Sequence, residues 1–483
     1  MKICTTNSEE RRIGIRKLAV VAFWILVWQI FASFVGNDLL LPGPLVTCAA
    51  MFELAGTGKF YINIGWTFLR CVCAMILSFA AGAVSAAASY RFCAVRSLLS
   101  LPVGFFKAVP VMAVIIYVIL IASADWVAII VCFLMCFPIA YTNILSGLDS
   151  MGKEFKELAY VYELSLKDRV RYIYRPGIMP QINSAARLIA GLSWKAVVAA
   201  EVLAIPKYSI GYEMMNAKYY LQTPVLFSYI FTIIILSIAV ERCVTVFLNK
   251  NGTKGYSGSK LSKNLQGMQK KGNDCKKPNH KLPEVRLQGV EKSFNGKAVL
   301  SELDTVFEAG KVTVIEGPSG IGKTTLGRII AGLETADRGE VIADGKFKLS
   351  YLFQEDRLLP WLNVYDNLAL GLLRDKKNDK NSVSNRISSK NDIMEMAENL
   401  EISQALYKMP AELSGGMKHR VALGRTFLAD SNIVILDEPF RGLDDELTER
   451  IMRRIWDDSV KDKTVIVITH KPEIFSRYNK LKI

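Results

Sequence analysis

Cysteine is scarce in this chain and follows no spacing. Nine occur in 483 residues. Cys48, Cys71, Cys73, Cys93, Cys132, Cys136 and Cys243 lie in or near apolar runs, and none follows Cys275. No C-x-x-C and no Cys/His pair at ligand spacing occurs, which argues against a structural zinc site and a disulfide framework. The thiols read as small packing residues. Charge is missing where a soluble protein would carry it: LAVVAFWILVWQIFASFV, Leu18 to Val35, has no ionisable residue. Acidic residues nearly vanish between Asn249 and Leu282, where nine lysines face one aspartate, Asp274, a net +8 out of the chain's +15. With more than half of the excess gathered in one Lys/Gly/Asn/Ser-rich stretch, the positive balance does not point to nucleic acid. It reads as a solvated linker with some attraction to anionic lipid headgroups.

The average of 51% hydrophobic and 22% charged residues hides a division. Before about Lys250 the chain is a series of long apolar runs; after Lys281 it alternates like an α/β protein. Roughly 20 apolar residues cross a bilayer as a helix, and six stretches qualify: Leu18–Val35, Thr67–Tyr90, Leu98–Ala122, Trp126–Leu148, Ser184–Ile205 and Val225–Leu248. Pro110 and Pro138 fall inside two of them, as helix bundles tolerate. Basic residues set the orientation. Arg11, Arg12, Arg16 and Lys17 precede the first span, Arg91 and Arg96 flank the second connection, and Lys153, Lys156, Lys167, Arg169, Arg171 and Arg175 crowd the loop after the fourth. The opposite connections hold only Lys59, Lys207 and Lys218. Both termini are therefore expected in the cytosol. The basic flank of the first span resembles a secretory leader, but no small-residue cleavage site follows, so a retained span is expected. Arg70, Lys107, Lys195, Glu201 and Glu241 lie in or beside apolar runs. Arg70 and Glu241 read as snorkelling or paired near helix ends; Lys195 and Glu201 fit a polar pathway lining equally well.

The soluble half opens with KVTVIE, Lys311 to Glu316, a buried strand. GPSGIGKT, Gly317 to Thr324, follows and matches G-x-x-x-x-G-K-[ST]. Leu326, Ile329, Ile330 and Leu333 then recur at helical spacing. Strand, loop and helix stand in the order that a phosphate-binding loop needs. Gly317, Pro318, Ser319, Gly320, Ile321, Gly322, Lys323, Thr324 and Thr325 are the candidate ATP contacts. Glycines admit phosphate to backbone N–H groups at a helix N-terminus; Lys323 reaches the β- and γ-phosphates, and Thr324 ligates Mg²⁺. SNIVILDEP, Ser431 to Pro439, is a second apolar strand ending in Asp437, a candidate Mg²⁺ ligand, and Glu438, placed to polarise an attacking water.

Between the two lies LSGGMKHRVALGRTF, Leu413 to Phe427, and after them THK, Thr469 to Lys471. Phosphate loop, LSGG, apolar Asp-Glu strand and histidine, in that order, resemble an ATP-binding cassette (ABC) ATPase, over about Pro283 to the C-terminus. The resemblance implies that Phe294 stacks on adenine and that Gln354 senses Mg²⁺ and the attacking water. It implies that Ser414, Gly415 and Gly416 meet the γ-phosphate of ATP bound to a second copy, that Asp444 lies in the short loop after Glu438, and that His470 holds the γ-phosphate. Met417 and His419 depart from the usual glutamines, Arg441-Gly442 from Gly-Ala or Ser-Ala, and Lys471 from an acidic residue; His419 reads as structural. Asp375 to Asp392 reads as a polar loop insertion.

EFKELAYVYELSLKDRVRYIYRPGIMPQI, Glu154 to Ile182, resembles the cytosolic coupling segment of ABC importers, with Glu157, Ala159 and Pro176 at matching places and Glu163 where glycine is usual. LPGPLVT, SWKAVVAAE and FQEDRLLPWLNVYDNL together resemble the nitrate/sulfonate/taurine type of importer, with permease and ATPase fused. The expected fold is an α-helical membrane bundle of about six spans (1–248), a linker (249–282) and an α/β P-loop ATPase domain (283–483). The resemblance implies ATP and Mg²⁺ as cofactors, a homodimer, a separate solute-binding protein, a small-molecule solute, and a multi-pass place in the cytoplasmic (inner) membrane. An exporter, or a membrane-tethered ATPase without transport, would use the same nucleotide motifs.

Overall fold

A computed structural model of the chain describes residues 4–255, 282–343, 347–377 and 385–483. Most of the lysine-rich linker, 256–281, and residues 378–384 of the polar insertion lie outside the described residues. The chain folds as two compact units, one of Met1–Ser150 with Ile178–Asn251, the other of Met151–Gly177 with Gly252–Ile483.

The first unit is helical. All six apolar stretches form helix, but they differ in character. Among the described residues, Gly58–Arg91, Ala124–Asp149 and Thr223–Leu248 are long and apolar enough to cross a membrane; a fourth crossing exists if Cys93–Ala108 and Val111–Ile121 count as one. That third stretch, read from the sequence as a single span, is in fact bent by 108° at a break. Pro110, with no amide proton, caps the second piece, and Val109 before it is extended (φ −73°, ψ 132°), as the residue preceding a proline prefers. The fifth stretch belongs to the helix Arg175–Ala204, whose Arg187, Lys195 and Glu201 dilute its apolar character.

Small residues let these helices approach closely. A Cβ on Gly82 would lie 2.5 Å from the Ala140 Cβ, and one on Gly211 would lie 2.5 Å from Glu201, the close packing that small residues permit between membrane helices. Around these contacts Ala74, Val127, Val131, Ile189 and Trp194 form the core. Arg70 and Glu201 are buried within it, 5% and 0% exposed. The Arg70 guanidinium donates to Glu201 Oε1 at 2.9 Å, to Asp125 Oδ1 at 3.0 Å and to the Lys207 and Tyr208 carbonyls. Glu201 Oε2 accepts from Thr67 at 2.9 Å and from the Gly211 amide at 3.4 Å. Both residues are thus occupied by each other.

Among the described residues of the second unit, eight strands make two sheets. They are β1 (Val285–Phe294), β2 (Lys297–Phe307), β3 (Val312–Glu316), β4 (Arg338–Ala343), β5 (Leu349–Leu352), β6 (Ile433–Asp437), β7 (Thr464–Ile468) and β8 (Asn479–Lys482). An antiparallel sheet has the order β2-β1-β4; a parallel one runs β5-β6-β7-β3-β8. The inner parallel strands VTVIE, IVILD and TVIVI are almost wholly apolar, as strands covered on both faces must be, and β6 and β7 are buried throughout. The polar stretch expected to be loop is partly helical: the helix Asn385–Asn399 begins inside it, where the polar run gives way to Ile393, Ala397 and Leu400 facing the core.

Candidate functional site

Strand register gathers the candidate residues. Ile315 of β3 pairs with Ile468 of β7, Asp437 of β6 with the same Ile468, and Leu352 of β5 with Leu436. The phosphate loop, the Asp-Glu pair, the segment leading to His470 and the one leading to Gln354 therefore all leave the carboxyl edge of one parallel sheet, where open α/β sheets bind ligands.

The loop winds tightly into the helix Lys323–Ile330. Gly320 and Gly322 sit at φ +83° and +108°, and a Cβ on Gly322 would lie 2.8 Å from Val299 Cγ1. Only glycine takes that backbone at that spacing without strain. Lys323 is buried at the helix start, its Nζ donating to the Gly317 and Pro318 carbonyls at 2.6 and 3.0 Å. Asp437 is buried beside Thr324, Lys323 and Tyr351. Burial pushes its carboxyl up to about 6 against the hydrogen bond from Thr324.

Glu438 follows at φ +55°, a left-handed backbone that non-glycine residues adopt only when the surroundings hold it. Its amide donates to the Ile468 carbonyl at 2.8 Å. Burial raises its carboxyl above the usual range, and the neighbouring His470 opposes that rise. His470 is half exposed, with Nε2 3.7 Å from Glu438 Oε1. That oxygen is buried and has no hydrogen-bond partner among the described residues.

Other candidates serve their own elements. Ser414 caps the helix Gly415–Phe427 by accepting from the Met417 amide at 3.3 Å. Asp444 caps Asp445–Ile451 by accepting from the Leu447 amide at 2.7 Å. Gln354 is exposed, its carbonyl accepting from Arg441 at 3.2 Å. Phe294 lies on the antiparallel sheet, 44% exposed, with Lys292 Nζ 5.2 Å from its ring centroid.

The stretch Met151–Gly177, which follows the helix Ala124–Asp149, packs within the second unit. Glu157, on the helix Lys153–Val161, accepts from Nη1 and Nη2 of Arg328 (3.0 and 2.7 Å) and from Arg357 Nη1 (2.6 Å). Burial works against its charge, but the two guanidiniums win and hold its carboxyl below the usual range. The Phe155 and Trp361 rings lie 5.4 Å apart, and Trp361 donates to the Tyr172 carbonyl at 2.7 Å. Ala159 and Pro176 are buried. Glu163 sits at φ +44°, so the position where glycine is usual does adopt the backbone that favours glycine. Arg328 and Arg357, two of the three clamp residues, went unnoticed in the sequence because they lie 171 and 200 residues from Glu157.

Residues 300–441 match the profile of a family described as "ABC transporter", and residues 78–250 that of one described as "Binding-protein-dependent transport system inner membrane component". Relatives agree. The aliphatic sulfonates import ATP-binding protein SsuB of Bacillus cereus is 36% identical over 200 residues, 38% of this chain and 74% of its own length. The protein of that name in Delftia acidovorans is 38% identical over 188 residues, 38% and 73% of the two chains. The spermidine/putrescine import ATP-binding protein PotA of Thermotoga maritima is 35% identical over 199 residues, 39% and 52%. Fold, edge and matches define a P-loop ATPase joined to a membrane permease. The chain belongs to the ABC transporter family, an ATP hydrolase coupled to transport across the membrane it spans.

Proposed function

We propose that two copies of this chain form an importer of a small solute, of sulfonate, taurine, nitrate or vitamin-precursor type, fed by a separate solute-binding protein. Its place is the cytoplasmic (inner) membrane, with the ATPase unit and both termini in the cytosol. Import is supported by the names of the relatives and by the segment around Glu157. The relatives differ in solute, so the solute class rests on the permease stretches LPGPLVT and SWKAVVAAE.

In this reading Lys323 and the backbone amides of Gly317 to Thr325 hold the phosphates, and Phe294 stacks on adenine. The oxygen donors Thr324, Gln354 and Asp437 suit a hard cation, and Asp437, its carboxyl raised by burial, has reason to welcome one. Mg²⁺ bound there with ATP supplies neutralisation of phosphate charge. Glu438 polarises the attacking water, with His470 beside it and Gln354 reporting on it. Ser414, Gly415, Gly416 and Asp444 complete the site of the second copy. Glu157, Ala159 and Pro176 belong to the segment that passes ATPase closure to the membrane helices, with which it is covalently continuous.

The observation that carries this reading is Glu438 Oε1, buried without a hydrogen-bond partner among the described residues, alongside His470 at the edge where four strands deliver the nucleotide motifs. Glu438→Gln in the reconstituted chain is expected to keep ATP binding and lose at least about 100-fold in hydrolysis, some 2.7 kcal/mol of barrier. Wild-type turnover in that variant would refute the role given to Glu438. The solute is found by melting the candidate binding protein with test compounds, since a true ligand raises its melting temperature.

A further inference from the structure

Two departures from the family pattern, His419 and Arg441, meet on one seam. His419 is buried on the helix Gly415–Phe427. Its Nε2 lies 3.0 Å from the Glu438 carbonyl oxygen and 3.1 Å from that of Pro439; its Nδ1 lies 2.9 Å from Asp356 Oδ1. Carbonyl oxygens only accept, so Nε2 carries a proton and donates. Arg441, whose amide donates to the Glu438 carbonyl at 3.1 Å, donates through its side chain to the Gln354 carbonyl. Arg425, on the same helix as His419, donates to the carbonyls of Asp356 and Arg357.

Glu438 and Arg357 both hold left-handed backbones, at φ +55° and +45°. Such residues persist only where neighbours over-determine them, and His419 grips the peptide that follows the first while its helix mate grips the second. Arg357 in turn holds Glu157. We propose that His419 is a positioning residue for hydrolysis. It fixes the Glu438 loop against Asp356, so the aim of the Glu438 carboxylate depends on the placement of Gln354–Arg357, with Arg441 as a second strut. The proposal rests on Glu438 acting on the attacking water.

The test uses the full-length chain in lipid vesicles, with steady-state ATP hydrolysis and nucleotide binding measured for His419→Ala, His419→Gln and Asp356→Ala. His419→Ala is expected to lower kcat about tenfold with KM for ATP within twofold. His419→Gln, whose amide can still donate to the Glu438 carbonyl, should recover most of that loss. Asp356→Ala should match His419→Ala, and the double variant should cost no more than the worse single one, as for groups acting through one contact. A His419→Ala kcat within twofold of wild type, a loss expressed only in KM, or a glutamine variant no better than alanine would overturn the proposal. Should His419→Ala fail to fold, Asp356→Ala decides, and a wild-type kcat there overturns it equally. If Glu438→Gln also keeps full turnover, the reading of Glu438 itself has failed; if Glu438→Gln is inactive while His419→Ala is normal, only the positioning role has.

Discussion

In the membrane unit, Arg70 and Glu201 are buried and each meets several partners: the guanidinium two carboxylates and two carbonyls, the carboxylate a guanidinium, a hydroxyl and an amide. In the ATPase unit, Asp437 and Glu438 are also withdrawn from water, but one oxygen of Glu438 lacks a hydrogen-bond partner among the described residues. The first pair spends its hydrogen bonds within the fold and acts as structure. The second leaves Glu438 Oε1 without a hydrogen-bond partner among the described residues, which is the condition of a group reserved for a ligand.

Removing one member of the finished pair should have the largest effect. Arg70→Ala leaves Glu201 buried without its main cation, and about 3–5 kcal/mol of stability should be lost, read by denaturation in detergent. A loss below about 1 kcal/mol would mean that the pair is not structural and the comparison fails. Glu157→Ala breaks a clamp that is partly open to solvent, so a smaller loss of about 1–2 kcal/mol is expected. The clamp's carboxyl lies below its ordinary range in the folded chain. Its contribution is therefore present above about pH 4.3 and fades as pH falls through the lowered value, so wild type and variant should converge in acid. Melting curves from pH 7 to pH 3 check this, and a gap that widens in acid would reverse the assignment.

The unfinished pair makes a prediction of opposite sign. Asp437 folds with a carboxyl at about 6, above the ordinary value of about 3.9. The folded state therefore holds an extra proton between those values, and without metal its stability falls as pH rises through that window. Mg²⁺ bound at Asp437 as proposed would require the carboxylate, so it should raise the melting temperature more at pH 7 than at pH 5; an equal rise at both would remove Asp437 from the proposed metal site. The smallest effect is expected at Glu163, whose left-handed backbone glycine adopts freely. Glu163→Gly should gain no more than about 1 kcal/mol, and a clear loss would show that its side chain contributes more than its backbone costs.

Where a function resides in contiguous residues, it was legible. GPSGIGKT, LSGG and the Asp-Glu pair each specify local backbone geometry, and strand patterning alone brings their ends to one edge. Pairings across long separations were not legible: Arg70 and Glu201 are 131 residues apart, so Glu201 read equally well as a pathway lining. The break at Pro110 was visible as a proline in an apolar run, but hydropathy has no term for a 108° turn. His419 read as structural because its meaning lies in which carbonyls it faces.

Residues 151–177 fold with an ATPase whose first strand begins at Val285 and whose last ends at Lys482. A ribosome adding about 5–20 residues per second completes the partner surface some tens of seconds after Glu157 and Phe155 have emerged. Until then, half of a joint waits for its socket to be made. Covalent fusion delivers the socket on the same chain, instead of by chance encounter with a separately translated subunit.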